Sequence, residues 1–242
     1  MIVLEGVHKK LGDRVILDGL DLEVPEGLNY VLMGRSGTGK SVTLKHVIGI
    51  LKPDAGEVIV DGIDVPSLKA KDLQDLRRRM GYLFQNGALI NWLTVLQNVA
   101  LPLREHAKLS RRDIEAKAME TLRLVGMEHA AHQFPASISG GMKLRTGLAR
   151  ALVTEPAYVL YDEPNAGLDP IMSGQIHRLI ATVRDELGVT GLVVTHSRQC
   201  AFDVGDRIGV LDEGRIVAEG TIAEMQRSEL PLVQAFLSGG AD

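Results

Sequence analysis

The chain has 242 residues, enough for one large domain or two modest ones, with 31 acidic residues against 27 Lys and Arg and a formal net charge of −4. That mild acidity argues against a dedicated nucleic-acid binder, and 45% hydrophobic with 24% charged residues excludes disorder as the main state. The single Cys200 excludes an intrachain disulfide and a multi-cysteine metal site.

The start, Met1-Ile-Val-Leu-Glu5, lacks the basic region and apolar core of a signal peptide, and nowhere do 18 apolar residues run together. Val3–Leu4 and Val15–Leu17 begin apolar runs separated by Gly12-Asp13, a hairpin signal. Leu20, Leu22 and Val24 alternate with Asp21 and Glu23, as a half-buried strand does. Asn29–Met33 reads as a strand buried on both faces, followed by a Gly-rich loop and a helix to about Ile50. Pro53–Gly56 reads as a turn, and Val58–Val60, Asp61-Gly62, Ile63 and Val65 as another hairpin.

The middle third changes character. Ser110-Arg-Arg-Asp113 is a capping-box pattern before Ile114, Ala118, Met119, Leu122 and Val125, an amphipathic helix closed near Gly126. Strand-like runs are scarce from 91 to 150. Beyond it, Tyr158–Tyr161 is a strand, Asp169-Pro170 opens a helix that Gly188 ends, Leu192–Thr195 is a strand, and Ile208–Leu211, Gly214 and Ile216–Val217 form a final hairpin. The tail 238–242 is expected to fray.

Gly34-Arg35-Ser36-Gly37-Thr38-Gly39-Lys40-Ser41, followed by Val42, matches the full P-loop spacing between a strand and a helix. Backbone N–H groups at such a turn surround phosphate oxygens, and the helix start adds partial positive charge. Lys40 is placed for the β- and γ-phosphates and Ser41 for Mg2+, which favours a nucleoside triphosphate over a dinucleotide. Val159–Tyr161 runs into Asp162-Glu163: Asp162 suits Mg2+ held through water, and Glu163 suits the attacking water provided the strand ends at the pair.

These residues carry a resemblance to an ABC-transporter nucleotide-binding subunit over nearly the whole chain. Gln85 resembles the glutamine that links the γ-phosphate and Mg2+ to the helical subdomain. Ile138-Ser139-Gly140-Gly141-Met142 resembles the family signature, with Ile and Met at its ends in place of Leu and Gln. Ala166–Asp169 resembles the loop exchanged across the dimer, although Asn165-Ala-Gly-Leu-Asp169 departs from the frequent Ser-Ala-Leu-Asp. His196 resembles the histidine that contacts the γ-phosphate. Leu11 stands where an aromatic often stacks on adenine.

The resemblance implies an α/β fold with a P-loop NTPase core of the ABC ATPase type, an N-terminal antiparallel β subdomain and an inserted helical subdomain. Within one domain, 1–242, it places the β subdomain and the first part of the core in 1–90, the helical signature subdomain in 91–150, and the rest of the core in 151–242. It implies ATP and Mg2+ as cofactors, Lys40, Gln85, Glu163 and His196 as catalytic residues, and Ser41, Gln85 and Asp162 toward the metal. It further implies a head-to-tail homodimer in which Ser139–Gly141 of one copy face the P-loop of the other.

A closer resemblance is to the ATPase of bacterial Mla-type lipid transporters, the Mkl group. It rests on Gly81–Gln85 with Gly87–Leu89, on Asn98–His106, and on Ala166–Ile171; Ile90 departs from that group's usual Phe. This implies a permease dimer, an MCE-domain partner carrying phospholipid, and a peripheral place on the cytoplasmic face of the inner membrane, with no nucleic-acid partner. Other readings are an ABC subunit for another substrate and a soluble non-transport ABC ATPase. The helix near Leu230–Leu237 fits a small accessory protein or a dimer contact. Trp92 fits either subdomain core or a groove for a permease helix; the family favours the groove. Arg145 fits either added positive charge or a solvated face, and Arg77–Arg79 reads as a solvated face. His46, His129, His132 and His177 read as helix or helix-end surface without a metal role.

Overall fold

The fold, a computed structural model that describes residues 1–106 and 108–238, is built on two sheets. Strands β1 (Ile2–Leu11) and β2 (Arg14–Val24) form the expected hairpin, the two apolar runs of its second arm being one continuous strand. β4 (Ala55–Val60) and β5 (Ile63–Asp64) complete an antiparallel sheet in the order β2-β1-β4-β5. The expected turn at 53–56 is shortened, because β4 already begins at Ala55, which pairs with His8, and Val65 opens a 3-10 turn.

The second sheet has the order β10-β9-β3-β8-β7-β6. Its strands are β3 (Asn29–Met33), β6 (Met80–Leu83), β7 (Tyr158–Asp162), β8 (Thr190–Thr195), β9 (Arg207–Asp212) and β10 (Arg215–Thr221). All pairs are parallel except the β9–β10 hairpin. Every residue of β3 is buried. Tyr30 and Leu32 enter the core shared with the antiparallel sheet, whereas Val31 and Met33 enter the core under the helices. Alternation along a central strand with both faces covered produces this split.

Helix α1 (Lys40–Val47) lies between the sheets, its Leu44 and Val47 in the first core. It stops three residues before Ile50. α2 (Ala70–Arg78) precedes β6, a four-residue strand too short to stand out by period. From 91 to 152 the described residues hold no strand, only α3 (Val95–His106), α4 (Arg111–Leu124), α5 (Gly140–Leu152) and 3-10 turns at Glu128–Ala130 and Pro135–Ser137. Ser110 caps α4 by accepting from the Asp113 N–H. α6 (Pro170–Leu187), α7 (Arg198–Val204), α8 (Ile222–Arg227) and α9 (Pro231–Ser238) follow. Gly188 ends α6 at φ 64°. The full reciprocal capping box is at Thr221 and Glu224, at the start of α8. Of the expected frayed tail, 239–242 lie outside the described residues.

Two histidines expected at the surface are buried instead. His46 is 1% exposed, and its Nδ1 donates to the Val42 carbonyl at 2.8 Å. Desolvation pulls its pKa down, which keeps it neutral. His177, also 1% exposed, joins α6 to α7 by donating from Nδ1 to Asp203 at 2.8 Å. Cys200 is fully buried, and desolvation pushes its thiol up to about 12, so it stays protonated and inert.

Candidate nucleotide site

The loop Gly34–Gly39 joins the end of β3 to the start of α1 in a path that requires glycine at its two ends. Gly39 has φ 109°, and a Cβ there would stand 2.8 Å from Leu17; a Cβ on Gly34 would stand 2.6 Å from the Leu211 carbonyl oxygen. No side chain caps α1 and its first turn carries no acid. The first N–H groups of the helix therefore face the loop for an anion to accept. Lys40 is 6% exposed, and its ammonium donates to the carbonyls of Gly34 at 2.8 Å and Arg35 at 3.0 Å. A cation is thus folded over the phosphate cradle, within 3.4 Å of the Glu163 carboxylate.

β7 ends at Asp162, so the carboxylate pair stands at a strand end. Glu163 has φ 47°, a left-handed conformation that costs a non-glycine residue roughly 1–3 kcal/mol. Its N–H donates to the Val194 carbonyl at 2.9 Å, which holds the turn. The turn breaks strand alternation and brings Glu163 to the phosphate side together with Asp162. One Glu163 oxygen accepts from His196, from the ring Nδ1 at 2.9 Å and the backbone N–H at 3.2 Å. His196 follows β8 and its side chain is 56% exposed, open to a ligand or a second chain.

Ser41 Oγ donates to Asp162 Oδ1 at 2.7 Å, while the Tyr82 hydroxyl donates to Oδ2 at 3.0 Å. A hydroxyl and a carboxylate side by side next to a phosphate cradle are the hard oxygen donors Mg2+ takes, with water and phosphate completing its shell. The residues present therefore fit the cation. Burial, with the Asp162 charge beside it, pushes the Tyr82 phenol far above its usual range and keeps it a donor.

Ser36, Gly37, Gly39, Lys40, Ser41, Val42, Gln85, Glu163 and His196 line one cavity of about 400 Å3, joined by Arg14 and Ile16. Thr38 and Arg35 lie in the adjoining hollow with Asp212 and Glu213. Leu11, at the end of β1, is 45% exposed and does not line the phosphate cavity; Arg14 and Ile16 stand there instead. Arg14 donates to the Gly37 carbonyl at 3.3 Å, across a hairpin turn the sequence marks only as Gly-Asp. After Gln85 three successive residues, Asn86, Gly87 and Ala88, have positive φ. Arg150 from α5 donates to the Gly87 and Ala88 carbonyls at 2.8 and 2.9 Å and holds that strained loop.

Ser139, Gly140 and Gly141 do not line the phosphate cavity. Ser139 caps α5 by accepting from the Met142 N–H at 3.3 Å, and both Ser139 and Gly140 are exposed. A Cβ on Gly140 would touch Leu168, so the signature lies against the loop before α6. Asp169 caps α6 by accepting from the N–H groups of Ile171 and Met172. Arg145 is not a solvated face: its guanidinium donates to the Val125 carbonyl at 3.0 Å and to Gln175 at 2.8 Å, tying α5 to the end of α4 and to α6. Arg145→Ala is expected to lower stability by about 1–2 kcal/mol, read as a lower urea midpoint with unchanged slope.

Trp92 is 80% exposed, which removes the subdomain-core reading. The buried Asn98 fixes this loop: its amide donates to the carbonyls of Ile90, Leu93 and Thr94 and its oxygen accepts from the Ile90 N–H.

A phosphate cradle, a reachable lysine and two carboxylates at a strand end define a P-loop nucleotide-hydrolysing protein. A family model described as ABC transporter matches residues 17–166. The probable ribonucleotide transport ATP-binding protein mkl of Mycobacterium leprae (strain TN) is 41% identical over 238 residues, 98% of this chain and 69% of that protein. The intermembrane phospholipid transport system ATP-binding protein MlaF of Escherichia coli (strain K12) is 40% identical over 242 residues, 100% of this chain and 90% of that protein. A dimeric post-hydrolysis structure of the ATP-binding cassette MJ0796, bound to ADP and Pi, matches with a TM-score of 0.83 at 35% identity, over 92% of this chain and 99% of that one. The chain belongs to the ABC transporter family as an ATP-binding cassette, and it is an ATPase that uses ATP with Mg2+.

Proposed function

We propose that this chain is the ATP-hydrolysing subunit of a membrane phospholipid transporter of the Mla type, acting as a head-to-tail pair under a permease dimer. The observation that carries the pairing is the division of the site. The phosphate cradle and the signature each present anion-binding backbone, yet Ser139–Gly141 do not line the cradle's cavity in their own chain. A second copy turned end to end brings its signature over the nucleotide, and the dimeric MJ0796 supports that arrangement. Ile171, 75% exposed beside the signature, is apolar surface of the kind such a contact covers.

In this reading Lys40 neutralises the β- and γ-phosphates, and Ser41, Asp162 and Gln85 hold Mg2+, which screens charge on the transferring phosphate. Glu163 orients and polarises the attacking water. His196 organises Glu163 through the hydrogen bond from its ring Nδ1, and closure of the second copy excludes bulk water. The exposed Trp92 faces a permease, an MCE-domain protein carries the lipid, and the chain sits on the cytoplasmic face of the inner membrane. Among the described residues no helix is long and apolar enough to cross a membrane.

The relationship to MlaF over the full chain supports phospholipid as the cargo; the name of the M. leprae relative points to ribonucleotides. Tagged purification from native membranes in mild detergent, with mass spectrometry of the co-purifying proteins, separates them. The expected result is a multi-span permease with an MCE-domain protein. A different permease overturns the lipid cargo and keeps the ABC mechanism; a reproducible soluble partner alone overturns transport.

A further inference from the structure

We infer that Tyr82 is a positioning residue for the Mg2+ carboxylate, fixing Asp162 through the oxygen not turned to Ser41. The inference rests on the reading of Ser41 and Asp162 as the metal pair. β6 and β7 are parallel neighbours in register, with Tyr82 opposite Leu160. Residues two apart on a strand share a face, so Tyr82, Leu160 and Asp162 lie on one side of the sheet. The rise from Leu160 to Asp162 is roughly 6.6 Å, about the reach of a phenol from its Cα. A tyrosine at 82 therefore spans the gap that a shorter side chain leaves open, and its hydroxyl meets Asp162 Oδ2 at 3.0 Å.

The terminal torsion of an aspartate is broad, so its carboxylate takes direction from its partners. Here each oxygen has its own: Ser41 at 2.7 Å on Oδ1, Tyr82 on Oδ2. With Oδ2 held, Oδ1 is the oxygen kept beside Ser41 and presented to the cation. The phenol is itself held, its ring lying 4.2 Å from that of Phe84 at 35°. Phe84 directly precedes Gln85, so one side chain joins the metal carboxylate to the root of the loop that begins at Gln85 in the phosphate cavity. Both rings also line a surface cavity of about 420 Å3 with Arg77, Arg78 and Arg150. Tyr82 thus runs from that outer surface to the metal pair.

The test is Mn2+ binding to the purified full chain in the presence of ADP, read by electron paramagnetic resonance, with ADP affinity in EDTA as the companion measurement. Tyr82→Phe keeps the ring and its stack on Phe84 and removes only the hydroxyl. The expected result is about tenfold weaker Mn2+ binding with ADP affinity in EDTA unchanged, the size of effect seen when an outer-shell partner of a metal ligand is lost. Asp162→Asn is the control and is expected to lose Mn2+ binding. Wild-type Mn2+ affinity in Tyr82→Phe, with loss in Asp162→Asn, overturns the role of Tyr82 alone. Wild-type affinity in both variants overturns the metal pair beneath it. Equal weakening of Mn2+ binding and of ADP binding in EDTA marks general damage to the site and also overturns the positioning role.

Discussion

Glu163→Gln is expected to lower phosphate release from ATP by about 10²–10⁴-fold while ATP stays bound, the usual scale for removing a positioned base. The glutamine keeps the volume and one oxygen and loses the charge. In the proposed role that charge is what draws a proton from the water, and it lies 3.4 Å from the Lys40 ammonium and 2.9 Å from His196. Removing a negative charge from a pocket that takes a polyphosphate does not weaken binding, so the two measurements separate. Phosphate release under multiple turnover gives the first, and competition binding of ATP gives the second. Turnover within twofold of wild type would sink the role of Glu163. Equal loss of binding and turnover would make Glu163 a binding residue.

Gly87→Ala is expected to lower stability by about 3 kcal/mol and to lower ATP turnover with it. Two terms add. Gly87 sits at φ 76°, where an L side chain is strained by roughly 1–2 kcal/mol. The new methyl would lie 2.5 Å from the Lys143 carbonyl oxygen and 2.9 Å from its carbon. That backbone belongs to α5, packed in the core, so it does not yield, and overpacking of this kind costs roughly 1–3 kcal/mol. Gly62 supplies the control: its φ is 74°, but a Cβ there meets nothing within 4 Å. Gly62→Ala therefore carries the backbone term alone. Urea unfolding of both variants isolates the contact between the Gln85 loop and the signature helix. A loss in Gly87→Ala no larger than in Gly62→Ala would show that the loop relaxes away from α5. Against a total of roughly 5–15 kcal/mol for a folded domain, the expected loss is severe.

Those two variants differ in how far the sequence alone anticipates them. Glu163 is legible because an apolar strand ending in two acids, set behind a P-loop, is a contiguous pattern. Its φ of 47° is not, since the turn is held by Val194 from another strand. Gly87 stands in the family-like stretch after Gln85, yet nothing in those letters says that α5 passes within van der Waals contact. The same division separates Gly39, whose place in the loop fixes its need for a bare backbone, from Arg14 and Ile16, which a hairpin folds into the phosphate cavity.

Burial shows the limit plainly. His46 and His177 read as surface, but the first is buried beside Lys9 of β1 and the second under Asp203 of α7. Arg145 reads as charge on a helix until α4 and α6 bring its acceptors from 20 and 30 residues away. Trp92 fits subdomain core or a permease groove by its sequence, and the core reading falls only where Asn98 pins its loop with the indole exposed.

The family resemblance marks the signature and β6 is too short to stand out by period, but the phosphate loop, the acid pair and the longer strands and helices around them are legible in the chain of letters. Each is written in neighbouring residues, where the spacing of glycines, the alternation of apolar side chains and the caps act on the local backbone. Tertiary packing selects the side chains that complete the site from afar: Tyr82 on Asp162, His196 on Glu163, Arg150 on the Gln85 loop. It also sets the signature off the phosphate cavity of its own chain. Such contacts depend on strand register and helix packing, which arise from burial summed over the whole chain, so no local run of residues encodes them.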